Sequence, residues 1–160
     1  MKFCLQCGAP LRARLIDEHE RMACSNDCGF IHWNNPTPVV AALVKIGEEF
    51  LLARNAQWPA GFFSLISGFL EAGEAPESAI ARETHEELGL EFKKAVFVGH
   101  YPIPQMNQII IAYVVEAVGM PTPNSEIAEL KRLSIEELKS YDFGPLKLAT
   151  MVVRDWLSVA

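Results

Sequence analysis

The chain lacks three features that would place it in large functional classes. Its longest apolar run, residues 109–115, is far shorter than the roughly 20 residues of a membrane helix. No apolar leader follows Met1, as a secretory signal would require. Positive charge is not in excess, because 20 Asp and Glu outnumber 14 Lys and Arg and give a net charge of −6. A general nucleic-acid surface needs clustered Lys and Arg. These absences predict a soluble, cytoplasmic protein that binds neither membrane nor nucleic acid.

The length and the apolar content fit one ordinary domain with a small appendage. The chain has 160 residues, of which 50% are hydrophobic, enough to build a core and to exclude a disordered chain. A break in composition at 34–38, Asn-Asn-Pro-Thr-Pro, divides it. We therefore expect a small unit at 1–34 and a larger domain at 35–160.

Cysteine is absent after residue 28, and the four cysteines form two short pairs. Cys4 and Cys7 are separated by two residues, Cys24 and Cys28 by three. Two such pairs suit a tetrahedral zinc site in which each tight turn supplies two thiolates. The alternatives are two disulfides or a redox Cys-x-x-Cys. The absence of an export signal and of a βαβ pattern favours structural Zn²⁺.

The predicted zinc ribbon has no charge suited to phosphate binding. Residues 1–34 carry four basic and four acidic side chains, and four thiolates around one Zn²⁺ add a formal −2. A neutral or negative ribbon is a poor phosphate clamp. We expect it to fold a short segment and to supply a packing or dimer surface.

The larger domain shows the pattern of an α+β fold. An apolar run at 39–46 and a second at 50–53, joined through Gly47, predict a hairpin. Helical periodicity covers 74–88 and ends at Gly89. The other predicted elements are a loop and short strand rich in Gly and aromatics at 57–70, strands at 91–98, 108–118 and 129–133, a proline-containing break at 101–104, a short helix opened by a capping box at 134–137, and a terminal helix at Leu146–Leu157.

The helix at 74–88 carries three carboxylates on one face. Glu83, Glu86 and Glu87 stand at i, i+3 and i+4, within an arc of about 100°. Carboxylates at this density repel each other unless a cation joins them, and hard oxygen ligands suit Mg²⁺ or Mn²⁺. Arg82 can pair with Glu86 or orient Glu83. The alternative is a solvated acidic face.

The arc beside the carboxylates is predicted to face the core. It consists of Ile80, Thr84 and Leu88, which recur at four-residue spacing. Pro76 suits the first turn of this helix.

The spacing around this helix is specific. From Gly68 to Gly89 the chain follows G-x5-E-x7-R-E-x2-E-E-x-G, which fixes seven positions. With each residue near ~7% abundance, a chance match is on the order of 10⁻⁸ per start. The stretch resembles the box of the Nudix hydrolases, although Thr84 stands where that family usually has an aliphatic residue.

The resemblance extends upstream of the box. Residues 61–65 are similar to the family's approach to the box, and Arg54 is placed as in the family. The cysteine pairs followed by Asn35-Pro36 resemble the zinc-ribbon branch, which includes NADH, FAD and ADP-ribose pyrophosphatases. The resemblance implies a Nudix α/β/α sandwich with a mixed sheet, preceded by the ribbon, and a homodimer.

The resemblance also implies a chemistry and a set of site residues. The reaction would split a nucleoside diphosphate linked to another group, with one to three Mg²⁺ ions held by the three box glutamates and the Gly68 carbonyl. The water-activating base would be a box glutamate, Glu83 or Glu86, or a later loop acid, Glu126 or Glu129. Arg82 would complete the catalytic set.

The sequence says less about which residues contact the substrate than about which bind the metal. Arg54, Phe63 and Tyr101 are candidates, but either aromatic is more often a core residue in such a sheet. NADH pyrophosphatases carry SQPWPFP after the box, whereas residues 99–105 read GHYPIPQ and retain only the Pro-x-Pro skeleton. This favours an FAD or ADP-ribose type of substrate. The alternatives to an enzyme are a nucleotide-binding sensor without turnover and a zinc-ribbon adaptor.

Overall fold

The computed structural model describes residues 1–145 and 147–159, which divide into two compact units, Met1–Pro36 and the chain from Thr37 onward. The first unit is an antiparallel three-stranded sheet of β1 (Leu11–Ile16), β2 (His19–Cys24) and β3 (Ile31–His32). Its small core contains two of the cysteines and Leu11. A core of this size is too small to stabilise a fold without a cross-link or a metal.

The second unit contains six strands and three helices among the described residues. The predicted terminal helix began at Leu146, which lies outside the described residues; the helix is described from Lys147. The elements are β4 (Thr37–Ile46), β5 (Glu49–Asn55), β6 (Ile66–Phe69), α1 (Pro76–Leu88), β7 (Glu91–Ile103), β8 (Gln108–Val118), β9 (Ile127–Leu133), α2 (Ile135–Ser140) and α3 (Lys147–Leu157).

The sheet of the second unit is mixed and divides at β4. The strand order is β7-β8-β4-β5-β9, and β4 runs parallel to β8 but antiparallel to β5. Its residues 44–46 pair with β5, whereas residues 39–42 pair with β6. The two partners of β4 therefore diverge, and a cleft opens between β5 and β6.

Both faces of the sheet are covered, as the predicted α/β/α sandwich requires. Alternate residues of β4 point to opposite sides: Val40 packs in the cluster with α1, and Leu43 packs in the cluster with α3. A strand covered on both faces has no polar side to display. This explains why its sequence is a continuous apolar run.

Several local predictions are confirmed. β4 and β5 form a hairpin whose two-residue turn begins at Gly47, with a φ of 60°. The helix α1 starts two residues later than predicted, at Pro76, and ends at Gly89 in the left-handed conformation. The capping box at Ser134 and Glu137 is present. None of the described helices has the length and apolar run needed to cross a membrane.

The predicted break at 101–104 is wrong in position. β7 continues through Pro102 to Ile103, and the chain turns only at Pro104–Met106. β7 is the last strand of the sheet, so one side of it needs no partner. Proline is tolerated on such an edge because its missing N–H leaves no ladder bond unmade.

Candidate active site

The core-facing arc of α1 fixes the direction of its acidic face. Ile80, Thr84 and Leu88 are fully buried, as predicted. The Thr84 hydroxyl donates to the Ile80 carbonyl at 2.7 Å, so its polar group is satisfied within the helix. The threonine thus fits at a position where an aliphatic residue was expected. The carboxylates of the same helix are held away from the core.

Arg82 binds several groups around the acidic face. Its Nε and Nη2 donate to the two carboxylate oxygens of Glu74, each at 3.0 Å. Its Nη1 donates to Glu83 at 2.7 Å and to Glu86 at 3.1 Å, and Nη2 also reaches the Phe69 carbonyl. Both contacts predicted for Arg82 are therefore present. A planar guanidinium can bind several acceptors at once, which an ammonium cannot.

These hydrogen bonds keep both Arg82 and Glu74 in their charged forms. The hydrogen bonds that Arg82 donates to Glu74 and then to Glu83 raise the pKa of Arg82 above its ordinary value, so it stays charged. The hydrogen bond from Arg82 lowers the pKa of Glu74 below its ordinary value. One permanent cation is thus hydrogen-bonded to three carboxylates, those of Glu74, Glu83 and Glu86.

Glu87 carries the surplus of negative charge. Burial, followed by the charges of Glu83, Glu126 and Glu86, raises the pKa of Glu87 to about 7. Both causes disfavour the charged carboxylate, because it is partly removed from water and other carboxylates lie near it. Such a group is a candidate for a functional site when it lies in a cleft.

Glu83 lies against the main chain of Gly68. A Cβ added to Gly68 would meet the Glu83 carboxyl carbon at 1.9 Å. Only glycine permits this approach between β6 and α1. The structure therefore places Glu83 against Gly68, and Arg82 binds both Glu83 and Glu86. The roles of Gly68, Glu83, Glu86 and Glu87 as Mg²⁺ ligands stay a prediction.

The loop after β8 carries Glu126 towards the end of α1. The Thr122 N–H donates to the Leu88 carbonyl at 2.7 Å, and the Asn124 N–H donates to the Glu87 carbonyl at 3.0 Å. The Asn124 side chain in turn accepts from the Glu126 N–H at 2.9 Å. The loop thus satisfies carbonyls at the helix end that have no partner within the helix. It also explains the influence of Glu126 on Glu87.

Arg54 and Glu129 bind each other. The Arg54 Nη2 donates to the Glu129 carboxylate at 2.6 Å across the β5–β9 pair. The Arg54 Nη1 donates to the Trp58 carbonyl at 3.0 Å. Both were predicted site residues, one for substrate and one as a loop acid. In the structure the two side chains form an ion pair with each other, and Arg54 also binds the loop after β5.

Phe63 and Tyr101 lie in the core, the alternative recognised for both from sequence. Each is only 6% exposed. The Lys131 ammonium lies 4.6 Å from the centre of the Phe63 ring, and the Tyr101 hydroxyl donates to Asp155 at 3.0 Å. Burial and that hydrogen bond raise the pKa of Tyr101 to about 12. Neither ring is presented for stacking.

Trp58 was not singled out by the sequence. It lies in the cleft between β5 and β6, which Asn55, Ser67 and Glu87 also line. The residue is 37% exposed. The available signal was a tryptophan next to proline within the Gly- and aromatic-rich loop at 57–70, one aromatic among several. Sequence alone does not distinguish an exposed ring from a core ring in such a loop.

The four cysteines converge in the first unit. Their sulfur atoms all lie within 4.8 Å of one another, with Cys4 and Cys28 at 3.5 Å and Cys7 and Cys24 at 3.4 Å. The N–H groups of residues 6 and 26 donate to the sulfurs of Cys4 and Cys24. Four soft ligands at these separations fit a tetrahedral zinc ion. Within residues 1–145 and 147–159, no other such group has its ligand atoms already this close.

Comparison with known proteins matches both units to family models. The model of the NUDIX domain matches residues 35–152, and that of the Nudix N-terminal zinc ribbon matches residues 2–34. The NAD-capped RNA hydrolase NudC of Pseudomonas aeruginosa is 32% identical over 139 residues, which cover 86% of this chain and 49% of that protein. NudC of Chromobacterium violaceum is 30% identical over 96% of this chain and 57% of its own length.

Solved structures of Nudix proteins are also similar to this chain. A NUDIX hydrolase from Nitrosomonas europaea superimposes with a TM-score of 0.75 at 28% identity and covers 86% of this chain and 80% of its own. The MutT protein of Methanosarcina mazei, at 22% identity and a TM-score of 0.64, shares the fold. The chain spans about half the length of the curated relatives it matches.

Proposed function

The chain belongs to the Nudix hydrolase family, and on that premise we propose that it is a Mg²⁺-dependent pyrophosphohydrolase. Its substrate would be a nucleoside diphosphate linked to another moiety, which it splits into two phosphorylated products. The observation that carries the proposal is the acidic face of α1. There Glu83 lies against Gly68, and Glu87 is held among like charges in a cleft.

The residues present fit a hard divalent cation. Glu83, Glu86 and Glu87 offer carboxylate oxygens, and the surplus of negative charge at Glu87 is what a bound cation would relieve. Bound Mg²⁺ supplies charge neutralisation at the phosphate oxygens and a more acidic water. Arg82 binds Glu83 and Glu86 and so limits how far these carboxylates can move.

The proton of the attacking water needs an acceptor near these carboxylates. Box residues Glu83 and Glu86 remain candidates. Of the two loop acids, Glu126 is close enough to raise the pKa of Glu87, whereas Glu129 has one oxygen bound to Arg54. We therefore favour Glu126 over Glu129 as the loop candidate. A general base must lie within hydrogen-bonding distance of the attacking water. Here that base would be a box glutamate or a loop acid.

Two observations bear on the substrate. Relatives at about 30% identity are named NAD-capped RNA hydrolases. Residues 99–105 lack most of the SQPWPFP signature of NADH pyrophosphatases. We propose an NAD-type dinucleotide or a related ADP-ribosyl compound. The net charge of −6 disfavours an extended RNA-binding surface, so any capped RNA would be held chiefly through its dinucleotide end.

We further propose that the first unit binds one structural Zn²⁺ through Cys4, Cys7, Cys24 and Cys28. The geometry of the sulfurs and the match to the Nudix N-terminal zinc ribbon support this. A homodimer remains a proposal from the family resemblance, and a cytoplasmic location remains a prediction from the sequence.

The experiment is a substrate panel with the purified protein and Mg²⁺. It comprises NADH, NAD⁺, FAD, ADP-ribose, a dinucleoside polyphosphate and a short NAD-capped RNA, with release of monophosphate products as the measurement. Glu86→Gln and Glu87→Gln should each lower turnover at least a hundredfold while the circular dichroism spectrum is retained. Glu91→Gln is the matched control, because Glu91 lies beyond the end of α1 and pairs with Lys93.

The outcomes separate the proposal from its alternatives. Turnover of any panel member that requires Glu87 supports the hydrolase. Nucleotide binding without turnover would indicate a sensor. Neither binding nor turnover, in a folded protein that contains zinc, would indicate an adaptor. Near-normal turnover by Glu87→Gln would remove the assignment of this residue.

A further inference from the structure

A second cavity adjoins the cleft that contains Glu87. It has a volume of about 470 Å³, within the usual range of small-molecule pockets. The two cavities share three wall residues, Trp58, Leu65 and Ser67. A ligand with one end at Glu87 can therefore extend into the second cavity without leaving the surface of the protein.

The floor of this cavity is the face of the sheet that packs towards α3. Val39 and Ala41 of β4 and Ile110 of β8 form it. Ala41 is paired in register with Ala112 on the neighbouring strand, and both are fully buried. Two alanines side by side on a core face leave a depression that larger side chains would fill.

The chemistry of the walls differs from that of the acidic face of α1. No carboxylate occurs among the described residues that line the cavity. Its polar groups are the hydroxyls of Ser64 and Ser67, the amides of Gln105 and Gln108, and one cation, Lys147, and most of its surface is apolar. A mostly apolar lining with a few polar groups suits a planar group with a few hydrogen-bonding atoms. The phosphates of a pyrophosphate substrate would then bind at the acidic face of α1, and its uncharged part would bind in this cavity.

Trp58 lies at the junction of the two cavities, and both its N–H and its carbonyl are hydrogen-bonded. The Trp58 N–H donates to the Asn55 carbonyl at 2.9 Å. The Trp58 carbonyl accepts from Arg54, which Glu129 holds in turn. The Arg54 side chain is 14% exposed, whereas that of Glu129 is 49% exposed. The main chain that carries the indole is thus held in place before a ligand binds, which limits the entropy lost on binding.

We propose that this cavity holds a base of the substrate, with the Trp58 indole stacked on it and the Gln105 and Gln108 amides hydrogen-bonded to its edge. Trp58 is then a specificity-determining residue. A carboxamide can bind an edge that presents a donor next to an acceptor. Adenine and the carboxamide of nicotinamide share that chemistry. The inference rests on the proposed function only for the placement of the phosphates beside Glu87.

The test measures binding separately from turnover. AMP, nicotinamide mononucleotide and ribose 5-phosphate are titrated calorimetrically into the full chain with Mg²⁺. Trp58→Ala should weaken whichever nucleotide binds by at least tenfold and leave ribose 5-phosphate unchanged, because the latter has no base to stack. Trp58→Phe should retain most of the affinity. Trp33→Ala, an exposed tryptophan of the first unit, is the matched control.

Kinetics with ADP-ribose and NADH give the second measurement. Trp58→Ala should raise KM at least tenfold, with a smaller effect on kcat, since stacking holds substrate and transition state alike. The comparison of AMP with nicotinamide mononucleotide identifies the base. An equal loss for AMP and ribose 5-phosphate, or no loss for either, would overturn the proposal. Base-dependent binding without turnover would retain the cavity assignment and reject the hydrolase.

Discussion

Glu83 and Gly68 approach so closely that a methyl group on the glycine would lie 1.9 Å from the glutamate's carboxyl carbon. The contact joins β6 to α1 at the point where the divalent cation is proposed to bind. This contact explains in physical terms why the family's box begins with a glycine. The glycine provides the space that the first carboxylate of the set occupies.

Gly68→Ala should therefore lower activity more than stability. The added methyl group must displace the Glu83 carboxylate, and we expect turnover to fall at least a hundredfold with the circular dichroism spectrum unchanged. Gly73→Ala is the control, because its Cβ would touch nothing while a φ of +82° imposes strain of about 1 kcal/mol. If Gly73→Ala lost as much activity as Gly68→Ala, the effect would be one of folding and not of the site.

Arg82→Lys should be damaging although it preserves the charge. A lysine cannot bind Glu74 through two nitrogens and also reach Glu83 and Glu86. We expect turnover to fall at least tenfold and the free energy of unfolding to fall by about 1 kcal/mol. Steady-state kinetics and urea denaturation are the measurements.

The control for this substitution is Arg132→Lys in the same unit. Arg132 pairs with Glu49 at a more exposed position, where both side chains are about half exposed. Surface pairs of this kind contribute little to stability. Equal losses in the two variants would show that Arg82 has no special role in arranging the carboxylates.

The fold and the acidic face were predictable because they follow from local rules. The four-residue recurrence of Ile80, Thr84 and Leu88 determines which side of α1 is buried, and that side fixes the direction of the glutamates. The hairpin at Gly47 and the left-handed Gly89 follow from the backbone freedom of glycine. These features need no knowledge of distant parts of the chain.

The remaining features depend on contacts between distant segments. Pro102 was expected to interrupt a strand, but its place on the edge of the sheet is decided by strand order. The pairing of Arg54 with Glu129 joins residues 75 positions apart. Exposure of Trp58 and burial of Phe63 depend on how one loop crosses the cleft. Sequence periodicity carries no information on these arrangements.

Cys24→Ser should remove zinc from the first unit. The purified protein is expected to contain about one zinc ion per chain, and loss of one thiolate from a set of four should abolish tight binding. Cys24 is buried in the small core of that unit, so its hairpin should lose protection from proteolysis. Ser25→Ala, the neighbouring change, should retain the metal. The measurements are elemental analysis and limited proteolysis.

Full zinc content in Cys24→Ser would contradict the four-cysteine site. The other outcome that would contradict it is an absence of zinc from the wild-type protein together with titratable free thiols. The second result would leave a core of very few residues without a cross-link, and the stability of the first unit would then need another source.

Glu87→Gln should stabilise the protein in buffer without Mg²⁺ or Mn²⁺, and by an amount that grows with pH. The pKa of Glu87 is raised from 4.5 to about 7 in the folded state, so the folded protein holds this proton more tightly than the unfolded chain. Wild-type stability must then fall as pH rises from about 4.5 to about 7. The penalty is complete above that range and absent below pH 4.

The amide carries no charge and escapes this penalty. We expect the free energy of unfolding of Glu87→Gln to exceed that of the wild type by about 1–3 kcal/mol at pH 8 and to match it near pH 4. Urea denaturation across this range measures the difference. Adding Mg²⁺ should reverse the order at pH 8, since the cation stabilises the wild-type carboxylate and has less to bind in the variant. A difference independent of pH would mean that neither burial nor the charged neighbours raise the pKa of Glu87 in the folded protein.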